Sequence, residues 1–368
     1  MNFKTHKTLL TLSKNLSKRP TFLSNDFLGV LVKYHQKNIA HYFITAHDKT
    51  SDSFIYAQKI RIGGRQIKSY NDKNNIQKLL ASYFFSFFSF KIIGFGNNFL
   101  TNETSVYLNG KLEDSNKFLT RLIDFVSKKY CVSKLLFPDH FFKPLNINDP
   151  VKIIPQLIKI EVDEEMSLDI KPHWKTFDDY YNDLKKKYKK RMRNVHSKSQ
   201  SILSRKLTKK DLIFYQKDLQ RLFNQVRESS SFYSVLFSTD SFVGFKKIDN
   251  PKSVVYGYFL EEKLVAFSSE WQVQETLYSY FIGLEYRLNK KHSIYDRMLY
   301  HTIENGILLN AKKIIFGRTA AEFKSNFGAV PKKSYLYIYL KNPLLRFILR
   351  PILSRITPKK WIQRNPFK

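Results

Sequence analysis

Apolar residues recur through the second half of the chain with two different periods. From Trp174, the residues Phe177, Tyr181, Leu184, Tyr188, Val195 and Ile202 follow at intervals of three, four or seven, which predicts one amphipathic helix. Thr176 and Asp179 have capping-box spacing, and the acids precede the bases, the order a helix dipole prefers. A second helix begins after "SRKL", with Thr208 and Asp211 in the same relation and Leu212, Tyr215, Leu219, Leu222 and Val226 along its inner face. The period then drops to two. "SVVYGYFL" (253–260), "LVAFSSEWQV" (264–273) and "TLYSYFIGL" (276–284) read as three antiparallel strands joined by hairpins. The basic stretch "RLNKKHS" leads into a helix with Ser293 as N-cap, Asp296 at the capping-box position, and Met298, Leu299, Thr302, Ile303 and Ile307 as its buried stripe. A strand "KKIIFG", a short helix "TAAEFKSNFGA" and a last alternating strand "KSYLYIYLK" (333–341) complete this half.

The first half gives a fainter version of the same order. Strands are predicted at "HYFITA" and "SFIYAQKIRI", a helix from Asn74, strands at "FKIIGF" and "TSVYL", a helix over 114–129, and a strand at "SKLLFPD". "CVSKLLFPDHFFK" in this half has the shape of "NAKKIIFGRTAAEFK" in the other, so the chain reads as an internal duplication of a mixed α+β unit.

With 43% hydrophobic and 15% aromatic residues over 368 positions, the chain has material for two packed domains. The formal charge of +32 favours polyanions such as nucleic acid, acidic lipid or phosphate-rich ligands. Part of that charge is a background: Lys, Asn, Ile, Phe and Tyr are all frequent, the usage of an AT-rich genome. The single cysteine, Cys131, excludes an intramolecular disulfide and a cysteine-based zinc site and fits a reducing cytoplasm. The apolar run from Tyr83 is interrupted by Lys91 and is too short to span a bilayer. It reads as a helix running into a strand.

The element order resembles the GNAT acyltransferase fold, and more closely its FemAB-like branch, in which two such domains are paired. Three stretches carry the resemblance: "FDDYYNDLKKKYKKRMRNV", "LYSYFIGLEYRLNKKHSIYDRMLYHTIENGI" and "FGRTAAEFKSNFGA". It implies tandem GNAT-like domains, each a mixed, mostly antiparallel sheet flanked by helices. They are expected over 27–165, in degenerate form, and over 166–341 as the acyltransferase domain, between a basic extension (1–26) and a basic amphipathic tail (342–368). The activity implied is transfer of an acetyl or aminoacyl group to an amine or hydroxyl, on a cell-envelope glycan, a lipid precursor or another small molecule. The donor would be acetyl-CoA, another acyl-CoA, or aminoacyl-tRNA. A backbone N–H from Phe281, Ile282 or Gly283 would meet the acyl carbonyl. One departure stands out: the family's glycine-rich phosphate loop is replaced here by "RLNKKHS", which has no glycine.

Other candidates follow from the residues themselves. Arg287, Lys290, Lys291, Ser293 and Arg297 surround a helix start, where free N–H groups and the dipole favour an anion, against the plainer reading of a capped helix after a solvated loop. Acyl transfer needs a base for the acceptor and no enzyme nucleophile. Glu270 and Glu285 are the nearest carboxylates, Tyr280 is placed to line the cleft, and His301 reads as structural. Arg318, at the end of a strand, suits an acidic substrate, and Lys324 a phosphate or carboxylate. The scattered histidines form no metal-ligand pattern. In the tail, Leu345, Ile348, Leu349, Ile352 and Ile356 share a face with Arg346, Arg350 and Arg355 around it and Trp361 beyond, which fits peripheral contact with an anionic inner membrane face. Pro351 is expected to kink or split that helix. The competing classes are a nucleic-acid- or tRNA-binding module, for which no RRM, KH or helix-turn-helix pattern appears, and a GNAT-shaped binding protein without catalysis.

Overall fold

A computed structural model describes residues 1–6, 8–9, 16, 18–35, 39–48, 50–62, 90–98, 100, 103–229 and 237–368. The chain divides into two compact units: Met1–Asp163 with Ser230–Phe237 and Lys333–Pro358, and Glu164–Ser229 with Ser238–Lys332 and Lys359–Lys368. The helix expected from Asn74 lies outside the described residues.

The first unit holds β1 (Asn2–His6), α1 (Asn25–His35), β2 (Ala40–His47), β3 (Ser51–Ile62), β4 (Phe90–Gly94), β5 (Val106–Gly110), α2 (Ser115–Lys129), β6 (Lys134–Pro138), α3 (Pro150–Ile153) and the start of β7 (Leu157–Asp169). β1 to β4 pair antiparallel in order, and β5 also pairs with β3. β4 then lies parallel to β6 through Ile93–Leu135 and Gly94–Leu136. The helix between them, α2, starts at Asp114, whose side chain accepts from the Asn116 and Lys117 N–H groups. Its Phe118, Leu119, Leu122 and Val126 pack on Ile55, Ala57, Phe95 and Leu135. Residues 2–6, expected in a basic extension, form β1 because Phe3 stacks on Phe125 and reaches Phe118.

The second unit repeats this plan. It contains α4 (Phe177–Asp183), α5 (Lys186–Lys198), β8 (Leu203–Lys206), α6 (Lys209–Phe214), α7 (Gln216–Ser229), α8 (Ser241–Phe245), β9 (Lys252–Leu260), β10 (Lys263–Val273), β11 (Thr276–Leu284), α9 (Tyr286–His292), α10 (Ile294–Leu308), β12 (Lys313–Gly317) and α11 (Ala321–Ser325). β8 to β11 are antiparallel neighbours, and β11 is parallel to β12 only over Thr276–Tyr278. In each unit the strand beyond the parallel pair comes from the other half of the chain. β7 pairs with β12 through Met166–Asp169, and β13 (Val330–Leu340) pairs with β6 through Leu336–Leu340. A final helix, α12 (Pro343–Leu353), belongs to the first unit.

Two of the three expected capping boxes form, at Thr176–Asp179 and Thr208–Asp211. The helix expected to run through 174–202 does not continue. Leu184 and Lys185 are extended, because Leu184 bridges Phe367 and the Lys185 N–H donates to the Pro366 carbonyl at 2.8 Å. Gly328 makes room for this clasp: at φ +91° a Cβ there would lie 2.2 Å from the Phe367 ring. α12 passes through Pro351 without splitting, since the proline sits in its last turn, where little of the helical ladder remains to be lost. Among the described residues no helix is long and apolar enough to cross a membrane.

Candidate functional site

β11 parts from β12 after the Tyr278–Ile315 pair, and its next residue, Ser279, faces Glu270 on β10. The register slips here by one residue, which leaves a bulge at Tyr280–Phe281. Ser269 closes the bulge from the neighbouring strand: its Oγ accepts from the Phe281 N–H (2.9 Å) and donates to the Phe281 carbonyl (2.7 Å). Tyr280 stacks on Trp271 with centroids 3.7 Å apart. Gly283 lies directly under α7, where a Cβ would come within 2.7 Å of the Leu222 and Phe223 backbone. Its lack of a side chain serves helix packing. Ile282 and Gly283 pair with Ser268 and Phe267 on β10.

Glu270 is 2% exposed. The Asn305 amide of α10 donates to its Oε2 at 3.1 Å, while Oε1 has no partner among the described residues. Burial pushes its pKa up to about 7, against the Thr302 hydroxyl, the Asn305 amide and the Lys206 charge, which all favour the carboxylate. The carboxyl lines a cavity of ≈ 100 Å³ with Lys206, Lys252, Tyr256, Gln272 and Asn305, floored by Val254, Leu277, Leu308 and Leu309. His301 stands beside it as a neutral ring. Burial and the charges of Arg297 and Lys206 lower its pKa to about 4, and its Nδ1 meets the Tyr258 hydroxyl at 2.8 Å.

Glu285, the second carboxylate, is held ionised well away from this role. Its Oε2 accepts from Gln225 (3.0 Å) and Arg221 (2.8 Å), which keep its pKa below the usual range. It lines a larger hollow of ≈ 300 Å³ with Arg221, Lys263 and Arg287. That hollow holds more space but no poised acid or base.

The stretch expected to be a phosphate loop is the helix α9, with Arg287, Lys290 and Lys291 on its exposed side and His292 buried. Ser293 follows in the left-handed region (φ 48°) and makes no side-chain cap. The Tyr295 N–H, which an anion would use, donates instead to Asn289 Oδ1 at 2.9 Å. Asp296, in the first turn, bonds Arg191 rather than closing a capping box. One N–H of this helix start is therefore already taken, and its first turn carries a carboxylate paired with Arg191. Arg297 lies one turn in, and its charge is felt at His301.

Arg318 follows β12 directly, half-buried, ahead of the left-handed residues Thr319 and Ala320. That turn folds the main chain back over α11, so Lys324 Nζ donates to the carbonyls of Phe316 (2.8 Å), Gly317 (3.3 Å) and Arg318 (2.8 Å). With its three donors spent, Lys324 has none for a phosphate. Burial pulls its pKa down to about 7. Lys206, Lys252, Tyr256, Ser269 and Asn305 were not singled out by sequence. Asn305 left a signal: it falls three residues after Thr302 on an otherwise apolar stripe. Among the described residues no cluster of His, Cys, Asp and Glu could hold a metal.

The overall fold is similar to that of solved structures. FemX superposes at a TM-score of 0.50 with 9% identity, over 95% of this chain and 100% of that one. A tandem GNAT protein from the clavulanic acid biosynthesis pathway superposes at 0.50 with 8% identity, over 88% and 90%. This is a tandem GNAT-like fold, shared with FemX. No family profile matches the sequence. No curated protein matches it either. The GNAT likeness is therefore one of fold, at identities where activity does not follow from shape.

Proposed function

We propose that the protein is an acyltransferase in which Glu270 is the general base for an amine or hydroxyl acceptor. One observation carries this reading: a buried carboxyl at the wall of a cavity, with one oxygen unpaired and a pKa raised to about 7. A base with that pKa is half-ionised at neutral pH, where general-base catalysis is most effective. In the reaction Glu270 takes the acceptor's proton and the acceptor's lone pair attacks the donor's acyl carbon. The new C–N or C–O bond forms as the donor's ester or thioester bond breaks, and the leaving group departs with a proton.

Lys206 and Lys252 at the cavity favour an acceptor carrying an anionic group near its nucleophile, and the four aliphatic residues favour an apolar portion. An amino-sugar or lipid precursor of the cell envelope meets both requirements. For the donor, the partly occupied start of α10 argues against a CoA thioester. The exposed cations Lys185, Lys186, Lys187, Lys190 and Arg193 along α5 favour an aminoacyl ester on RNA.

The test is calorimetric titration at moderate salt with acetyl-CoA and desulfo-CoA, followed by discharge of aminoacyl-tRNA onto amine acceptors. We expect no saturable CoA binding, and discharge that Glu270→Gln abolishes. Saturable CoA binding weakened by Arg297→Ala and Arg318→Ala would restore the thioester donor. Inertness towards both donors would overturn the enzyme reading in favour of a binding protein.

A further inference from the structure

Helix α12 is amphipathic twice over. Leu349 and Leu353 are buried with Ile158, Ile160 and Leu340, and Leu345 and Ile356 pack beside them. Arg346 donates to the Leu340 carbonyl at 2.9 Å and Arg350 to the Pro155 carbonyl at 2.6 Å, so the first unit grips the helix by backbone as well as core. Asn342 caps it by accepting from the Leu345 N–H at 3.0 Å. The helix is thus firmly docked, yet a second apolar stripe faces away from the docked one. Leu344 (67% exposed), Phe347 (79%), Ile348 (51%) and Ile352 (45%) follow at i, i+3, i+4 and i+8 and cover one side. Arg346 and Arg350 lie on the side that holds the helix to its unit, and Arg355 follows the end of the stripe. Between Lys341 and Pro358 there are four cations and no acid.

We propose that α12 seats the first unit on an anionic lipid surface, with Phe347 and Ile348 entering the acyl boundary and Arg355 at the headgroups, while Arg346 and Arg350 hold the helix to its unit. Charge decides the occupant. A second copy docking through this same face would bring a cationic segment against its own image, with no carboxylate in the segment to offset it. A nucleic acid would neutralise the cations and leave the apolar stripe in water. An anionic monolayer satisfies both features at once. Trp361, grouped with this segment on sequence grounds, takes no part: its Nε1 donates to Glu164 at 2.9 Å in the second unit. The proposal is independent of the acyl-transfer reading.

The test is co-sedimentation of the full chain with phosphatidylcholine vesicles, with and without phosphatidylglycerol. We expect binding to the mixed vesicles, a residue of it surviving salt near ~0.5 M, where surface charge is largely screened. Phe347→Ser with Ile348→Ser removes two exposed side chains, so the Tm should hold while partitioning falls at least about tenfold. As a second readout, Phe347→Trp should blue-shift its emission with anionic vesicles and not with neutral ones. Equal partitioning by the double variant, or no blue shift, would overturn the proposal. So would a dimer in solution that the double variant dissolves, because the stripe would then be covered by another copy.

Discussion

The two units build the same frame and treat its middle strand differently. In the first, Gln58 on β3 stands opposite Gly94, the last residue of the parallel pair with β6. It is fully buried and bonded at both ends of its amide: its Nε2 donates to the Tyr56 hydroxyl (2.7 Å), and its Oε1 accepts from the Asn98 N–H (2.9 Å) and side-chain amide (2.5 Å). The residue before it, Ala57, joins the apolar core with α2. In the second unit, Glu270 on β10 stands opposite Ser279, one residue past the parallel pair, and turns towards the crossover helix α10. One unit closes this level with a neutral, bonded amide and an alanine. The other leaves there a carboxyl with a bare oxygen. The two copies of the fold thus differ at this level in the type and pairing of single residues rather than in architecture, and the proposed reading assigns the chemistry to the second.

The largest expected effect erases that difference. Glu270→Gln should lower kcat/KM by about 10²–10⁴-fold, and the wild-type rate should rise as pH passes through about 7, where the base becomes ionised. Stability moves the opposite way. Because folding raises this pKa from 4.5, the folded protein holds the proton more tightly, and that stabilisation is full below pH 4.5 and is lost as pH rises through about 7. It amounts to about 3 kcal/mol, and melting curves of wild type and Glu270→Gln should diverge over that window. The converse change, Gln58→Glu, puts an ionisable group where a buried amide is bonded at both ends. It should cost about 3 kcal/mol at neutral pH, measured by urea unfolding, and less in acid. Gly283→Ala forces a methyl into the α7 backbone and should cost about 1–3 kcal/mol in the same assay. The smallest effect is a gain: Ser293→Gly relieves a left-handed residue that makes no cap and should add about 0.5–1 kcal/mol with activity unchanged. A large loss of activity would instead mark Ser293 as part of a donor site.

Much of this was legible in the sequence. The strands 253–260, 264–273 and 276–284, two of the three expected capping boxes and the repeat were readable because each depends on local period or spacing. Glu270 was readable as a carboxylate on the middle strand, but its pairing with Asn305 depends on how α10 lies over the sheet. The break at Leu184–Lys185 was hidden because its partners, Pro366 and Phe367, lie far along the chain. The same holds for the strands traded between halves, β7 and β13, since local pattern says nothing of which sheet a strand joins. Helix α9 was missed for a different reason. Basic polar stretches without glycine read as solvated loop, whereas Asn289 and buried His292 tie this one down as a helical turn.

The most direct test of the central claim is to titrate the Glu270 carboxyl itself, as the infrared difference between wild type and Glu270→Gln across pH 4 to 9, a window of roughly two to three units on either side of its midpoint. The account expects a protonated carboxyl band that disappears with a midpoint near about 7. A midpoint in the ordinary carboxylate range near about 4.3 would contradict it, leaving Glu270 no better suited to catalysis than any solvated acid.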